Sequence, residues 1–86
     1  MEQKGINILE KALKKYNGKD VEIHIFHSLY GEQKIKCCFD YIFDENRIGF
    51  KAGKNEIYIL RSGIINFGVK DGIFFADDIM EIRIKL

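Results

Sequence analysis

The sequence predicts a mainly β domain with one N-terminal helix, wound into a small, strongly bent antiparallel barrel or roll. Three observations lead there. Short apolar–polar alternations recur from residue 21 to the C-terminus, which is the pattern of half-buried strands. The turns between them are a few residues long, too short for the helical crossover that parallel pairing needs. The chain holds no proline and is rich in isoleucine, and β-branched residues without proline suit continuous strand pairing. Its 86 residues make one domain, 1–86, with a thin core. A bent sheet that closes on itself would hide the edges that six or seven short strands otherwise expose.

The helix is expected over about residues 6–17. Ile6, Leu9, Leu13 and Tyr16 recur at spacings of three and four with Ala12 beside them, while Glu10, Lys11, Lys14 and Lys15 fill the other side. Asn7 and Glu10 have the spacing of a capping box for a helix that starts late. Asn17-Gly18 is a stop, because both residues tolerate the left-handed conformation. So short a helix is marginal alone, so its apolar stripe must dock.

The strands follow in order. In VEIHIF, Val21, Ile23 and Ile25 share one face, and Glu22 and His24 the other. After a loop around Gly31, Ile35, Cys37, Phe39, Tyr41 and Phe43 alternate with Lys34, Lys36, Cys38, Asp40 and Ile42. That pattern predicts one unbroken bending strand from Gln33 to Phe43 with its odd-numbered residues inside. The turn DEN leads to RIGFK, with Ile48 and Phe50 inward, and AGKN turns into EIYIL. RSG interrupts, and IINFGV then places Ile65, Phe67 and Val69 on one side. Lys70-Asp71-Gly72 is a tight-turn signal. IFFA, the break ADDI and MEIRIKL complete the chain, with Ile82, Ile84 and Leu86 in phase.

Composition narrows the function. Fourteen basic against thirteen acidic residues give a net charge of +1, so bulk charge does not select a polyanion partner. No apolar run approaches the length of a membrane span, and the N-terminal segment mixes acids and bases unlike a secretion signal. Adjacent Cys37 and Cys38 read as two reduced thiols, and the expected setting is cytoplasmic. His24 and His27 differ by three positions in a strand and face opposite surfaces, so they cannot chelate one ion together. Asp77 and Asp78 diverge in the same way. Their place at a break between strands suits backbone capping better than acid–base chemistry. No glycine-rich phosphate loop and no nucleophile elbow is present. No catalytic residue, metal, cofactor or small-molecule substrate is therefore expected.

Two surface features remain. Basic residues including Lys36 and Lys51 lie on or beside strands that also carry Tyr30, Tyr41 and Tyr58, a mixture that can stack and neutralise single-stranded nucleic acid. Glu32, Asp40, Asp44, Glu45 and Glu56 are interspersed there, however, and a solvated face of alternating charge is the commoner origin of such a pattern. Ile42, Leu60, Ile64 and Phe74 fall out of phase with the inward set, so they are expected either to sit beneath the helix or to be covered by a second subunit, and an interface is the reading preferred. The expected means of association is strand pairing at the C-terminal edge.

The order of elements, and two local stretches, resemble the Sm-like (LSm) small-barrel family. In FDENRIGF, Asp44 and Asn46 stand where that family's first motif has an aspartate and an asparagine before the third strand. In FFADDIMEI, Ile79 and Ile82 match apolar positions of its second motif. The resemblance implies an Sm-like barrel. Glu45 replaces the base-stacking residue, and Ala76 and Asp77 replace an Arg-Gly pair. An RNA pocket at Asp44, Asn46, Lys36, Lys51 and Tyr41 would accordingly be a degenerate one. The first expectation is a non-enzymatic, homo-oligomeric interaction module; the alternative is an RNA-binding Sm-like protein.

Overall fold

The apolar stripe of the first segment becomes helix α1 (Gln3–Tyr16) in a computed structural model that describes residues 3–52 and 54–86. The helix begins before residue 6, so Asn7 lies within it and not at a cap. Ile6, Leu9 and Leu13 are buried on its docked side. Lys14 and Lys15 occupy its last turn, where cations complement the negative end of the helix dipole. Gly18 ends it at φ 81°, and its N–H donates to the Phe39 carbonyl at 2.8 Å.

Eight strands follow among the described residues: β1 (Asp20–His27), β2 (Gly31–Cys38), β3 (Tyr41–Phe43), β4 (Arg47–Ala52), β5 (Asn55–Leu60), β6 (Asn66–Gly68), β7 (Ile73–Ala76) and β8 (Met80–Lys85), with a 3₁₀ turn at Arg61–Gly63 after β5. Every pairing is antiparallel. They form a five-stranded sheet in the order β2-β1-β8-β7-β6 and a three-stranded sheet in the order β3-β4-β5. The expected antiparallel β architecture is present, but its ladders do not run round a closed barrel. The side of β2 and the β4–β5 hairpin stand apart across a cleft of ≈ 910 Å³. Gly53, at the centre of the expected AGKN turn, lies outside the described residues.

Three further expectations are corrected. The strand expected from residue 33 to 43 breaks at Phe39-Asp40, where the chain passes from one sheet to the other. Its parity survives the break: Phe39 is buried, and Ile35, Cys37, Tyr41 and Phe43 are half-buried against the core. The order of Ile64 and Ile65 is inverted, with Ile64 buried and Ile65 67% exposed. The 3₁₀ turn shifts the phase by one residue, and the Ile65 N–H then pairs with the Ala76 carbonyl (2.9 Å). The C-terminal strand is no edge, since β8 is paired on both sides, to β1 and to β7.

The core lies between the sheets and beneath the helix. Val21, Ile23, Ile25, Ile73, Phe75, Ile82 and Ile84 come from the larger sheet, and Ile48, Phe50 and Ile59 from the smaller. Each such side chain contributes about 1.5–3 kcal/mol through removal from water. Gly49 is buried on β4, opposite Tyr58. A Cβ there would collide with the Ile57 carbonyl oxygen and come within 2.6 Å of the Tyr58 Cα, so the two strands meet at a distance only glycine allows. Gly49→Ala should therefore destabilise the fold by about 1–3 kcal/mol, the range for overpacking, read as a lower urea midpoint with an unchanged denaturant slope.

Candidate functional site

The polar residues that attract notice in the sequence mostly serve local structure. Asp44 Oδ1 accepts from the N–H groups of Asn46 (2.8 Å) and Arg47 (2.9 Å), and Oδ2 accepts from Arg47 Nε (2.9 Å). Its own carbonyl accepts from Arg61 Nη1 at 2.8 Å, while the Asn46 carbonyl accepts from the Arg61 N–H at 2.8 Å. One arginine thus ties the β3–β4 turn to the 3₁₀ turn, with its guanidinium 5.2 Å from the Phe43 ring. The Asn46 N–H bond, followed by the Arg47 side chain, holds the Asp44 carboxyl below its ordinary pKa. The same partnership raises that of Arg47.

Asp77 has a similar job. Its Oδ1 accepts from the N–H groups of Ile79 (2.9 Å) and Met80 (2.8 Å), stopping β7 and starting β8. Asp78 is exposed and makes no such bond. His27 Nδ1 accepts from Leu29 N–H (3.0 Å) and Tyr30 N–H (3.3 Å), and its ring lies 4.6 Å from that of Tyr30. It shapes the β1–β2 hairpin. Cys37 is half-buried, and burial, then the neighbouring Cys38 and Asp20, push its thiol pKa up, away from the reactive thiolate. Among the described residues no group of three or more His, Cys, Asp or Glu is placed to hold a metal ion, and no helix is long and apolar enough to cross a membrane.

The residues of the suggested RNA pocket do not converge. Asp44 and Asn46 are occupied in their turn, and Tyr41 packs half-buried against the core. Lys36 lies on β2, while Lys51 lies on β4 of the other sheet, 3.8 Å from Asp40. The residues of the suggested interface are also dispersed. Ile64 is in the core, Ile42 is half-buried on β3, Leu60 is 55% exposed on β5, and Phe74 is half-buried on the larger sheet.

Strand register gathers two groups that no local stretch reveals. On the three-stranded sheet, Tyr58 lies across from Gly49 and Leu60 across from Arg47, whose guanidinium sits 4.8 Å from the Tyr58 ring. On the outer face of the five-stranded sheet, Lys34, His24, Arg83, Phe74 and Gly68 align in one row across all five strands. Phe26 is two residues along β1 from His24, the two rings 4.0 Å apart. Arg83 stands between Phe26 and Phe74, 5.8 Å and 5.9 Å from their ring centres. Its Nε donates to Glu81 Oε2 at 2.8 Å. His24 Nε2 is 2.7 Å from Glu32 Oε1, close enough for an ion pair once the imidazole is protonated, but not aligned as a hydrogen bond.

Asp77→Ala should cost about 1 kcal/mol, the usual loss for a capping carboxylate, and Asp78→Ala close to nothing; urea denaturation of the two variants checks the difference. Asp44 gives a pH signature. A carboxyl whose folded pKa is lowered stabilises the fold above its unfolded pKa, and that stabilisation is lost as pH falls through the folded value. Asp44→Ala should therefore lower stability at neutral pH, with the difference from wild type shrinking below the ordinary carboxylate range, as paired melts from pH 7 downward would record.

No family model, curated protein or solved structure matches this chain.

Proposed function

We propose that this chain is a non-enzymatic interaction module that self-associates through the free edge of β5. The observation that carries the reading is the state of that edge. Among the described residues β5 pairs only with β4, leaving six residues, NEIYIL, with one side of their backbone unpaired. Unpaired strand edges recruit further strands, and soluble proteins commonly guard them with lysine, proline or shortness. β5 contains neither lysine nor proline, carries one charged side chain in Glu56, and exposes Tyr58 (43%) and Leu60 (55%). The other free edges are better guarded. β2 carries Lys34 and Lys36, and β3 and β6 are three residues long. Pairing of β5 with β5 of a second copy would join two three-stranded sheets about a twofold axis and cover Leu60.

The same proposal makes the chain a degenerate Sm-like relative. Its support is an N-terminal helix, a second strand that ends at Cys38 and passes through Phe39-Asp40 into β3, and a last strand laid against the first.

Light scattering at high micromolar concentration should find a dimer or larger assembly. The double variant Glu56→Lys/Leu60→Lys, which alters two exposed positions on that strand, should be monomeric with an unchanged circular dichroism spectrum. A wild-type chain that stays monomeric into the millimolar range would remove the proposal.

A further inference from the structure

The outer face of the larger sheet carries a second, separate capability. At its β6–β7 corner lies an open depression of ≈ 340 Å³, lined by Lys70, Asp71, Phe74, Arg83 and Lys85, with Gly72 at its wall. That volume is at the small end of the range for ligand sites. Three of the lining side chains are cationic and one is acidic, in a chain whose net charge is only +1. The aligned row extends this basic character across the sheet through His24 to Lys34, and the adjoining row holds Lys36 and Lys85 on either side of Glu22. Bases therefore gather in two rows, whereas Glu32 and Glu81 flank Phe26 in the third.

The arrangement at Arg83 is specific. Its Nε is held by Glu81, which fixes the plane of the guanidinium. Its two terminal nitrogens have no protein partner among the described residues, so the fork is oriented yet available to a bidentate anion. Phe74 is half-buried beside Arg83. Its ring lies over Gly68, where a Cβ would come within 3.0 Å of the ring edge. The wall of the depression depends on Gly72, at φ 124°, since a Cβ there would meet the Ile84 carbonyl oxygen at 2.7 Å.

We propose that this depression binds a nucleoside phosphate. Arg83 takes the phosphate as a fork with Lys70 and Lys85 adding charge, the planar base packs against the Phe74 ring, and the Asp71 carboxylate accepts from a sugar hydroxyl. Each part answers one feature of the ligand: cations with a free fork for a dianion, a half-buried ring for a base, and a lone acid among bases for a hydroxyl. A purely anionic ligand would leave Phe74 and Asp71 without a role. The site is independent of β5, which belongs to the other sheet.

The test is an NMR titration of the ¹⁵N-labelled full chain with adenosine, guanosine, cytidine and uridine 5′-monophosphates, the free nucleosides, inorganic phosphate and a single-stranded oligonucleotide. At least one monophosphate should shift amides of residues 70–74 and 83–85 saturably, with its nucleoside and inorganic phosphate each about tenfold weaker or more. Arg83→Gln and Phe74→Leu should each weaken binding by about tenfold. Lys85→Gln, at an exposed position, should weaken it too, and serves if a Phe74 variant fails to fold. The Glu56→Lys/Leu60→Lys variant should bind as wild type does, whatever its oligomeric state. The proposal is overturned if no monophosphate gives saturable shifts, if inorganic phosphate binds as well as the nucleotide, if Arg83→Gln and Lys85→Gln leave affinity unchanged, or if only the oligonucleotide binds.

Discussion

The fold depends on one short crossing, Phe39-Asp40, where the chain leaves the larger sheet and enters the smaller. The Phe39 N–H donates to the Lys19 carbonyl and its own carbonyl accepts from the Gly18 N–H, both at 2.8 Å, which fastens the crossing to the end of the helix. The Asp40 carbonyl accepts from the Lys51 N–H at 2.8 Å, fastening it to β4. The Phe39 side chain is meanwhile buried in the core. Helix, large sheet and small sheet therefore share a single two-residue joint, in which both backbone groups of the buried Phe39 and the carbonyl of the exposed Asp40 are paired. With it in place, α1 closes the space between the sheets and the odd-numbered residues on both sides of the break still point inward.

Once the joint and core are set, most conspicuous polar groups are spoken for. Asp44, Asp77 and His27 each accept two backbone N–H groups at a turn. Carboxylates and an imidazole placed there do the work that main-chain partners do inside a ladder. What is left for the proposed binding is an arginine and a phenylalanine on a sheet face, with two lysines and an aspartate around them, and one strand edge. Neither would stand out in a search for reactive residues.

Local chemistry was legible in the sequence, and long-range pairing was not. The alternation of Ile35 to Phe43 gave the right faces, because side-chain period depends only on strand geometry. It could not reveal the break, since the bonds that make the crossing come from Gly18, Lys19 and Lys51, remote in sequence. Asp77 was readable as a cap from its place between two apolar runs, and Gly18 and Gly72 from the turns they end. Ile64 and Ile65 were misplaced because either fits the pattern until the 3₁₀ turn fixes the phase. Phe74 could be recognised as out of phase with the core, but its association with Arg83, His24 and Lys34 needs the register of four strands. The site proposed on the larger sheet was hidden for that reason.

The open cleft explains why an edge is available at all. In a sheet that closes on itself, every strand has two neighbours and no backbone group is left over. Here the crossing turns the chain sharply enough to cover the core but leaves the side of β2 and the β4–β5 hairpin apart, so the ladder ends at β5. Such an incomplete ladder is hazardous in a protein that acts alone, because an unguarded edge invites promiscuous pairing. β2 carries two lysines, Lys34 and Lys36, along its edge, whereas β5 on the same molecule has the single charge of Glu56. That difference between two edges of one molecule is what favours β5 over the other free strands in the proposed self-association.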